Sequence, residues 1–414
     1  MALRVPLPAR SPALATAWRA AALVAATLAS TGAQAAPDWA VMPPGLLPQR
    51  LPVATPTGAA WQVQTEAADF SGSDATSVRG FGGDWARYHP RSGRNTALQQ
   101  ARLDLRLTRG DWELGASLRS DMLVSGTRGS FDLVHAYKQR QTPADGSTLQ
   151  VAAQEQSLVW AGLRAARSWT LLPADDAQAA GLRLTAALTP LSLRRLRLST
   201  VQGSVQYSDA GGYGFDASTL RQDSHRQFGG MGRDGATGSG ITSDLGLLWQ
   251  PGTAWFANLS VVDAFSRLRI QNLATETMRL SSATAQLDGR GYVDYRPLLN
   301  GNNSAADLRL RLWRKWSATA GVQADRLWPA APAGSQLGAR WEHIGGLDLP
   351  AVWASLPLPM LAPGWALQIE AEARFGSLGL GLQGPQGALM LRSSGSRVGQ
   401  ASALGWQASV NLPW

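Results

Sequence analysis

In residues 404–414 every second side chain is apolar: Leu404, Trp406, Ala408, Val410, Leu412 and Trp414 share one phase. Gly405, Gln407, Ser409, Asn411 and Pro413 hold the other. Successive side chains of a strand point to opposite faces, so this is a ribbon with an oily side and a wet side. Residues 365–375 repeat the pattern more sharply, with Trp365, Leu367, Ile369, Ala371, Ala373 and Phe375 opposing Gln368, Glu370, Glu372 and Arg374. A row of such polar groups cannot enter a dry core unpaired. They must face water or one another.

The same period runs along most of the chain. Ala101, Leu103, Leu105 and Leu107 oppose Arg102, Asp104, Arg106 and Thr108. After Arg109-Gly110 the chain returns with Trp112, Leu114, Ala116 and Leu118 against Asp111, Glu113, Ser117 and Arg119, which reads as a hairpin. Residues 61–68, 181–189, 241–250, 254–263, 307–313, 316–325 and 336–343 are further strand candidates. About 14–18 strands of roughly 8–12 residues are expected, the length a tilted strand needs to cross a bilayer.

Two architectures share this signature. A soluble sandwich turns its oily faces inward, whereas a membrane barrel turns them outward to lipid and keeps the wet faces in its lumen. The charged face recurs in consecutive hairpins rather than at edges alone. Trp112, Trp160, Trp249, Trp255, Trp313, Trp316, Trp328 and Trp341 fall near strand ends, as in an aromatic girdle. The chain also stops on a strand, at an aromatic. The expected fold is therefore all-β, an antiparallel transmembrane β-barrel over residues 61–414.

Ahead of it, Arg4, Arg10 and Arg19 precede an apolar stretch at 20–29 and then Ala33-Gln34-Ala35. This is the three-part pattern of a signal peptide over residues 1–35, and ten apolar residues are too few to span a bilayer. Its removal leaves a net charge of about +6 from the formal +9. Export, and the lack of a clustered basic run, argue against nucleic acid as a partner. Residues 36–60 hold six prolines and no alternation, reading as a periplasmic leader or short plug. A helix over 349–368 is excluded by Pro350, Pro357, Pro359 and Pro363.

The last strand, Trp406-Gln-Ala-Ser-Val-Asn-Leu-Pro-Trp414, resembles the terminal signal of bacterial outer-membrane β-barrel proteins. In that family the strand ends on an aromatic, usually Phe, and is read by the assembly machinery. The resemblance implies an outer-membrane location, lipid and that machinery as partners, and Trp406, Val410, Leu412 and Trp414 as the assembly signal. Asp244-Leu-Gly-Leu-Leu-Trp-Gln-Pro-Gly252, continuing to Val262, is similar to hairpins of long-chain fatty-acid transporter-like barrels. It implies a fold and no substrate.

Chemistry finds little footing. Cys is absent, which removes disulfides, cysteine nucleophiles and thiolate metal sites. The four histidines lack a catalytic setting. His135 is in phase with Phe131, Leu133 and Tyr137 and is expected to face lipid. His225 lies in a loop beside Asp223 and Ser224, and His343 follows Glu342 near a Gly-Gly turn. Asp175-Asp176 reads as solvated, and Gly211-Gly-Tyr-Gly214 has no helix after it to make a nucleotide loop. No enzyme activity, cofactor or metal is expected.

Three loops are expected over 70–95, 208–240 (with nine glycines) and 281–303, the last carrying a turn at Asn300-Gly-Asn-Asn303. The candidate functional residues are the charges expected to face the lumen: Arg102, Asp104, Arg106, Glu113, Arg183, Arg309, Arg311, Glu370, Glu372 and Arg374. They form either a paired network that stiffens the interior or an arginine-lined pore that favours anions. The expected function is a passive channel or transporter for a small or amphipathic solute. The alternative is a non-conducting structural or assembly barrel of the envelope or of polysaccharide secretion.

Overall fold

The computed structural model describes residues 61–174, 181–226, 235–287, 293–295 and 297–413. The expected signal peptide and leader, Asp175-Asp176 and Trp414 lie outside the described residues. The strands are β1 (Gln62–Ser73), β2 (Asn95–Arg109), β3 (Trp112–Gly126), β4 (Thr148–Leu172), β5 (Gly181–Ser208), β6 (Gly212–Asp223), β7 (Thr237–Gln250) and β8 (Trp255–Ser281). A small separate pair, β9 (Ala285–Leu287) and β10 (Val293–Tyr295), follows. Then come β11 (Leu299–Leu310), β12 (Lys315–Gln323), β13 (Gln336–Ile344), β14 (Leu347–Pro357), β15 (Ala366–Glu372), β16 (Ser377–Gly384), β17 (Gly387–Ser393) and β18 (Ala403–Pro413). Three helices, α1 (Val78–Phe81), α2 (Arg128–Gln139) and α3 (Ala324–Leu327), sit in connections.

All pairings are antiparallel, and β1 bonds to both β2 and β18, so the sheet closes on itself. Two of its strands are interrupted. Both β6 and β7 lie between β5 and β8, β6 on their upper halves and β7 on their lower halves. Likewise β11 and β12 share one side of β8. With each interrupted strand counted once, the barrel has 14 strands. Closure satisfies the backbone groups that an open edge would leave unpaired in lipid.

The oily phase is outside. Leu105, Leu114, Leu163, Ile369, Leu380 and Leu391 are 41–69% exposed, while their neighbours Arg106, Arg164 and Glu370 are 2–4% exposed. A surface of free leucines around buried charges is the inverse of a soluble domain and fits only a lipid solvent. Trp406, Val410 and Leu412 occupy this outward phase of β18, in register with Asp69, Thr65 and Val63 of β1. The first and last described strands begin and end at one rim, which also carries tight turns such as Gly110-Asp111; that rim is periplasmic by the usual asymmetry of such barrels.

Several expectations are corrected. Residues 208–240 are not one long loop, because Gly212–Asp223 is strand β6. Its glycines fit a ladder in which Gly203 of β5, at φ +153°, lies so close to Asp216 and Ala217 that a Cβ has no room. Asn300–Asn303 is not a turn; it extends along β8 opposite Arg279, Met278, Thr277 and Glu276. The 27 residues of β8 supply a partner that overrides local turn preference. Residues 131–138 form a helix, so His135 does not face lipid. It stacks on Tyr88 with ring centroids 4.3 Å apart. Finally, Trp160 is no girdle residue: it is fully buried in the lumen.

Candidate functional site

The site is the lumen, and three strata fill it. At mid-height the inward positions are charged. Glu66 of β1 accepts from Arg102 and, at 2.9 Å, from Arg106 of β2, and Gln407 of β18 donates to it at 2.7 Å. Ser117 donates to Asp104. Arg164 of β4 bridges Glu113 (2.6 Å) and Asp244 of β7 (2.7 Å). Lys315 of β12 reaches across to Asp121 of β3 at 2.5 Å, and Asp263 lies 3.7 Å from it. On the far wall Glu370 lies between Arg340 (2.6 Å) and Arg392 (3.1 Å). Bonds that cross between non-neighbouring strands brace the interior, and charges this deeply buried persist only because each is paired.

Above this stratum the inward positions turn apolar. Phe70, Leu98, Leu123, Ile344, Leu347, Leu349, Phe375 and Ala403 pack together, with Trp313 against them. Leu158, Trp160, Leu191, Leu196, Leu268, Ile270, Leu273 and Leu312 form a second cluster under the taller wall of β4, β5 and β8. The guanidinium of Arg119 lies 4.8 Å from the Trp160 ring centre, tying the two strata together.

Above the second cluster opens a cavity of about 1400 Å³. Gln150, Gln154, Thr200, Gln202, Ser218, Thr277, Asn300 and Asn302 line it, with Arg94, Arg128, Asp132 and Arg279 toward its mouth. Helix α2 forms part of its rim. Thr127 caps α2 by accepting from the Ser130 backbone N–H, and Phe131 anchors it against Ala75 and Trp85 of the first outer loop. Tyr88 of that loop donates to Asp132 at 2.6 Å. Burial and the adjacent carboxylate push the Tyr88 phenol far above its ordinary range.

Of the charges singled out from sequence, Arg102, Asp104, Arg106, Glu113 and Glu370 belong to the mid-lumen stratum, while Glu372 closes the outer β15–β16 turn by accepting from the Phe375 backbone N–H and the Ser377 hydroxyl, each at 3.2 Å. Arg183 points inward at the periplasmic end, 3.3 Å from Asp111. Arg374 sits in the outer turn between β15 and β16, 2.6 Å from Asp74. Arg309 and Arg311 are placed differently: both are exposed, and it is Leu308 and Leu310 that turn inward against the second cluster. Strand β11 keeps one phase through the bulge, whose extra residue lies on β8 near Asn272 (φ +54°), so at this height the apolar side faces inward and the arginines face the wet outside above the lipid. The mid-lumen stratum also lacks an arginine excess. Among the described residues there, Arg102, Arg106, Arg119, Arg164, Lys315, Arg340 and Arg392 meet Glu66, Asp104, Glu113, Asp121, Asp244, Asp263, Glu342 and Glu370.

Sequence reasoning put Arg119 on the wet phase without naming it a candidate, and overlooked Glu66, Asp121, Arg164, Asp244, Lys315, Arg340, Glu342 and Arg392. Most lie on the wet phase of strands already recognised, so the alternation that exposed Glu370 marks Asp244 and Arg340 as well. Asp263 gives no such signal, because it sits in a bulge at φ +57°. The remaining histidines are structural in setting. The His225 backbone N–H donates to Asp223 at 3.0 Å. His343 lies outside the wall, its Nδ1 2.8 Å from Asp348, which also accepts from Trp341 at 3.1 Å. No group of three His, Asp or Glu among the described residues is arranged to hold a metal ion.

No family model and no curated protein matches the chain. Among solved structures it is similar to the P. putida toluene transporter TodX, at 10% identity and a TM-score of 0.39, over 85% of this chain and 88% of that one. It is similar to the Ralstonia pickettii toluene transporter TbuX at 8% identity and 0.26, covering 86% and 89%. The outer membrane protease OmpT from Escherichia coli overlays at 7% identity and 0.23, covering 88% and 99%. The assignment of the fold rests on the strand pairing of this chain.

Proposed function

We propose that this barrel is a gated passive transporter of the outer membrane that takes a small amphipathic solute from the outside. The carrying observation is the outer cavity: amide and hydroxyl side chains line it together with Leu149, Val201, Leu220 and Met278, and lower on the same strands the lumen is closed by an apolar floor, the cluster of Leu158, Trp160, Leu196 and Leu273. Such a site solvates a polar head and offers an apolar tail somewhere to go. Passage requires the apolar floor to move aside, since the strata below are packed. Trp160→Ala with Leu196→Ala removes much of the floor. In planar bilayers the wild type is expected to conduct weakly and the double variant at least tenfold more. Equal conductance in both overturns the gate.

The packed middle of the lumen favours a second reading, a non-conducting barrel that serves the envelope as scaffold or assembly partner. Liposomes containing the protein separate the two. Uptake of an amphipathic solute above the protein-free rate supports transport, and its absence in both proteins supports the scaffold. The same proposal includes export by the signal peptide over residues 1–35 and insertion by the assembly machinery. The mature protein is then expected to begin at Ala36, which N-terminal sequencing reads directly.

A further inference from the structure

The chain is basic, yet the middle of its lumen is not. Part of the excess arginine lies on the outer face of β8 and β11. Arg269 and Arg309 are direct cross-strand partners, and both are exposed, as are Arg267 and Arg311 one outward step further down the wall. Like charges placed opposite each other in a ladder repel and cost stability. Asp307 offers one carboxylate, 3.6 Å from Arg269. Among the described residues, no carboxylate lies within ion-pair distance of Arg267, Arg309, Arg311 or Arg314.

The height of the patch is fixed by its neighbours. Ile241, directly opposite Arg267, is 43% exposed, and Phe265, two residues below, is 69% exposed. Arg314 lies 6.0 Å from the Phe265 ring centre. The arginines therefore begin where the oily exterior ends, at the level of the headgroups in the outer leaflet.

We propose that this patch binds the phosphate groups of a phosphorylated saccharide lipid of the outer leaflet. A guanidinium fork matches a phosphate bidentately and stays charged at any physiological pH. The opposed pair Arg269 and Arg309, with Arg267 and Arg311 just below it, offers such forks to neighbouring phosphates on one headgroup, while acyl chains pass down over Phe265 and Ile241. The site lies on the outside of the wall and is independent of what crosses the lumen.

The test uses the full chain in detergent, titrated with rough lipopolysaccharide, with the same lipid after phosphatase treatment, and with inorganic phosphate. Bound lipid is counted by native mass spectrometry. The wild type is expected to bind the phosphorylated lipid at least tenfold more tightly than the treated one. A variant carrying Arg267→Ser, Arg269→Ser, Arg309→Ser and Arg311→Ser is expected to lose that preference while keeping heat-modifiable migration. Equal binding of both lipids by the wild type, or an unchanged preference in the variant, overturns the proposal. So does displacement of the lipid by inorganic phosphate at equal concentration, which marks a site for soluble anions. If the variant does not fold, the two wild-type titrations decide alone.

Discussion

Glu370 shows what one side chain does in this interior. It is 2% exposed, and its carboxylate holds two guanidiniums, Arg340 of β13 and Arg392 of β17, each two strands away from β15. Glu370→Ala takes away the carboxylate that Arg340 and Arg392 share, while Arg340 keeps Glu342 at 3.4 Å. The expected loss is about 3 kcal/mol, the lower end of the usual cost of removing one partner from a buried ion pair, read as a lower urea midpoint in detergent micelles. Tyr88 makes a prediction of a different kind. Its pKa in the folded protein is raised, so the docking of the first outer loop on α2 is intact below the ordinary tyrosine range near pH ~10. Docking weakens as pH climbs above that, because the released phenol ionises first. The wild-type minus Tyr88→Phe ultraviolet spectrum should therefore show no tyrosinate band at pH ~11, one unit above the ordinary value; a band with a midpoint near 10 contradicts the raised value. At this scale the phase of Glu370 and Glu372 was legible in alternation. The placement of Arg309 and Arg311 was not, because above the lipid the oily phase of β11 turns inward while the local alternation stays the same.

Among elements, the β13–β14 hairpin has the plainest sequence logic. Gly345 and Gly346 both have positive φ, +58° and +87°, the geometry that a two-residue hairpin turn requires. A Cβ at Gly346 meets nothing within 4 Å. Gly346→Val therefore tests backbone conformation alone, and a loss of about 1–2 kcal/mol in unfolding free energy is expected. An unchanged urea midpoint rules that out. The β2–β3 hairpin, with Gly110 at φ +55°, was equally readable from its turn and its two alternating flanks. Helix α2 was not. Phe131, Leu133, His135 and Tyr137 satisfy a period of two, while Phe131 and Val134 also fit a helical face, and short apolar runs do not separate the two. The informative residue was Thr127, a capping side chain three positions before the Ser130 N–H it accepts from.

The whole molecule depends on one seam. The β1–β18 ladder runs from Gln62↔Pro413 to Gly72↔Ala403 and is the join that turns a sheet into a barrel. The intact protein, extracted in detergent, should run faster unheated than boiled. Deleting residues 403–413 should abolish that difference, since the remaining strands keep two open edges; a deletion protein that still shifts contradicts the closure. That a barrel exists was legible from the oily phase recurring in hairpin after hairpin. Whether its lumen holds a paired network or an open pore was left between two readings, because alternation reports which side a residue faces and says nothing of how far its partners reach across.

The wall is also uneven in height. Strand β5 has 28 residues and β15 only seven. At a tilt of about 40°, seven residues rise ~18 Å, short of the ~25 Å apolar band usual for such proteins. Lipids beside β15–β17 must therefore compress to cover the protein there, and those beside β4–β8 need not. The protein carries a built-in hydrophobic mismatch on one flank, and that flank is where the surrounding bilayer will be thinnest and most easily deformed.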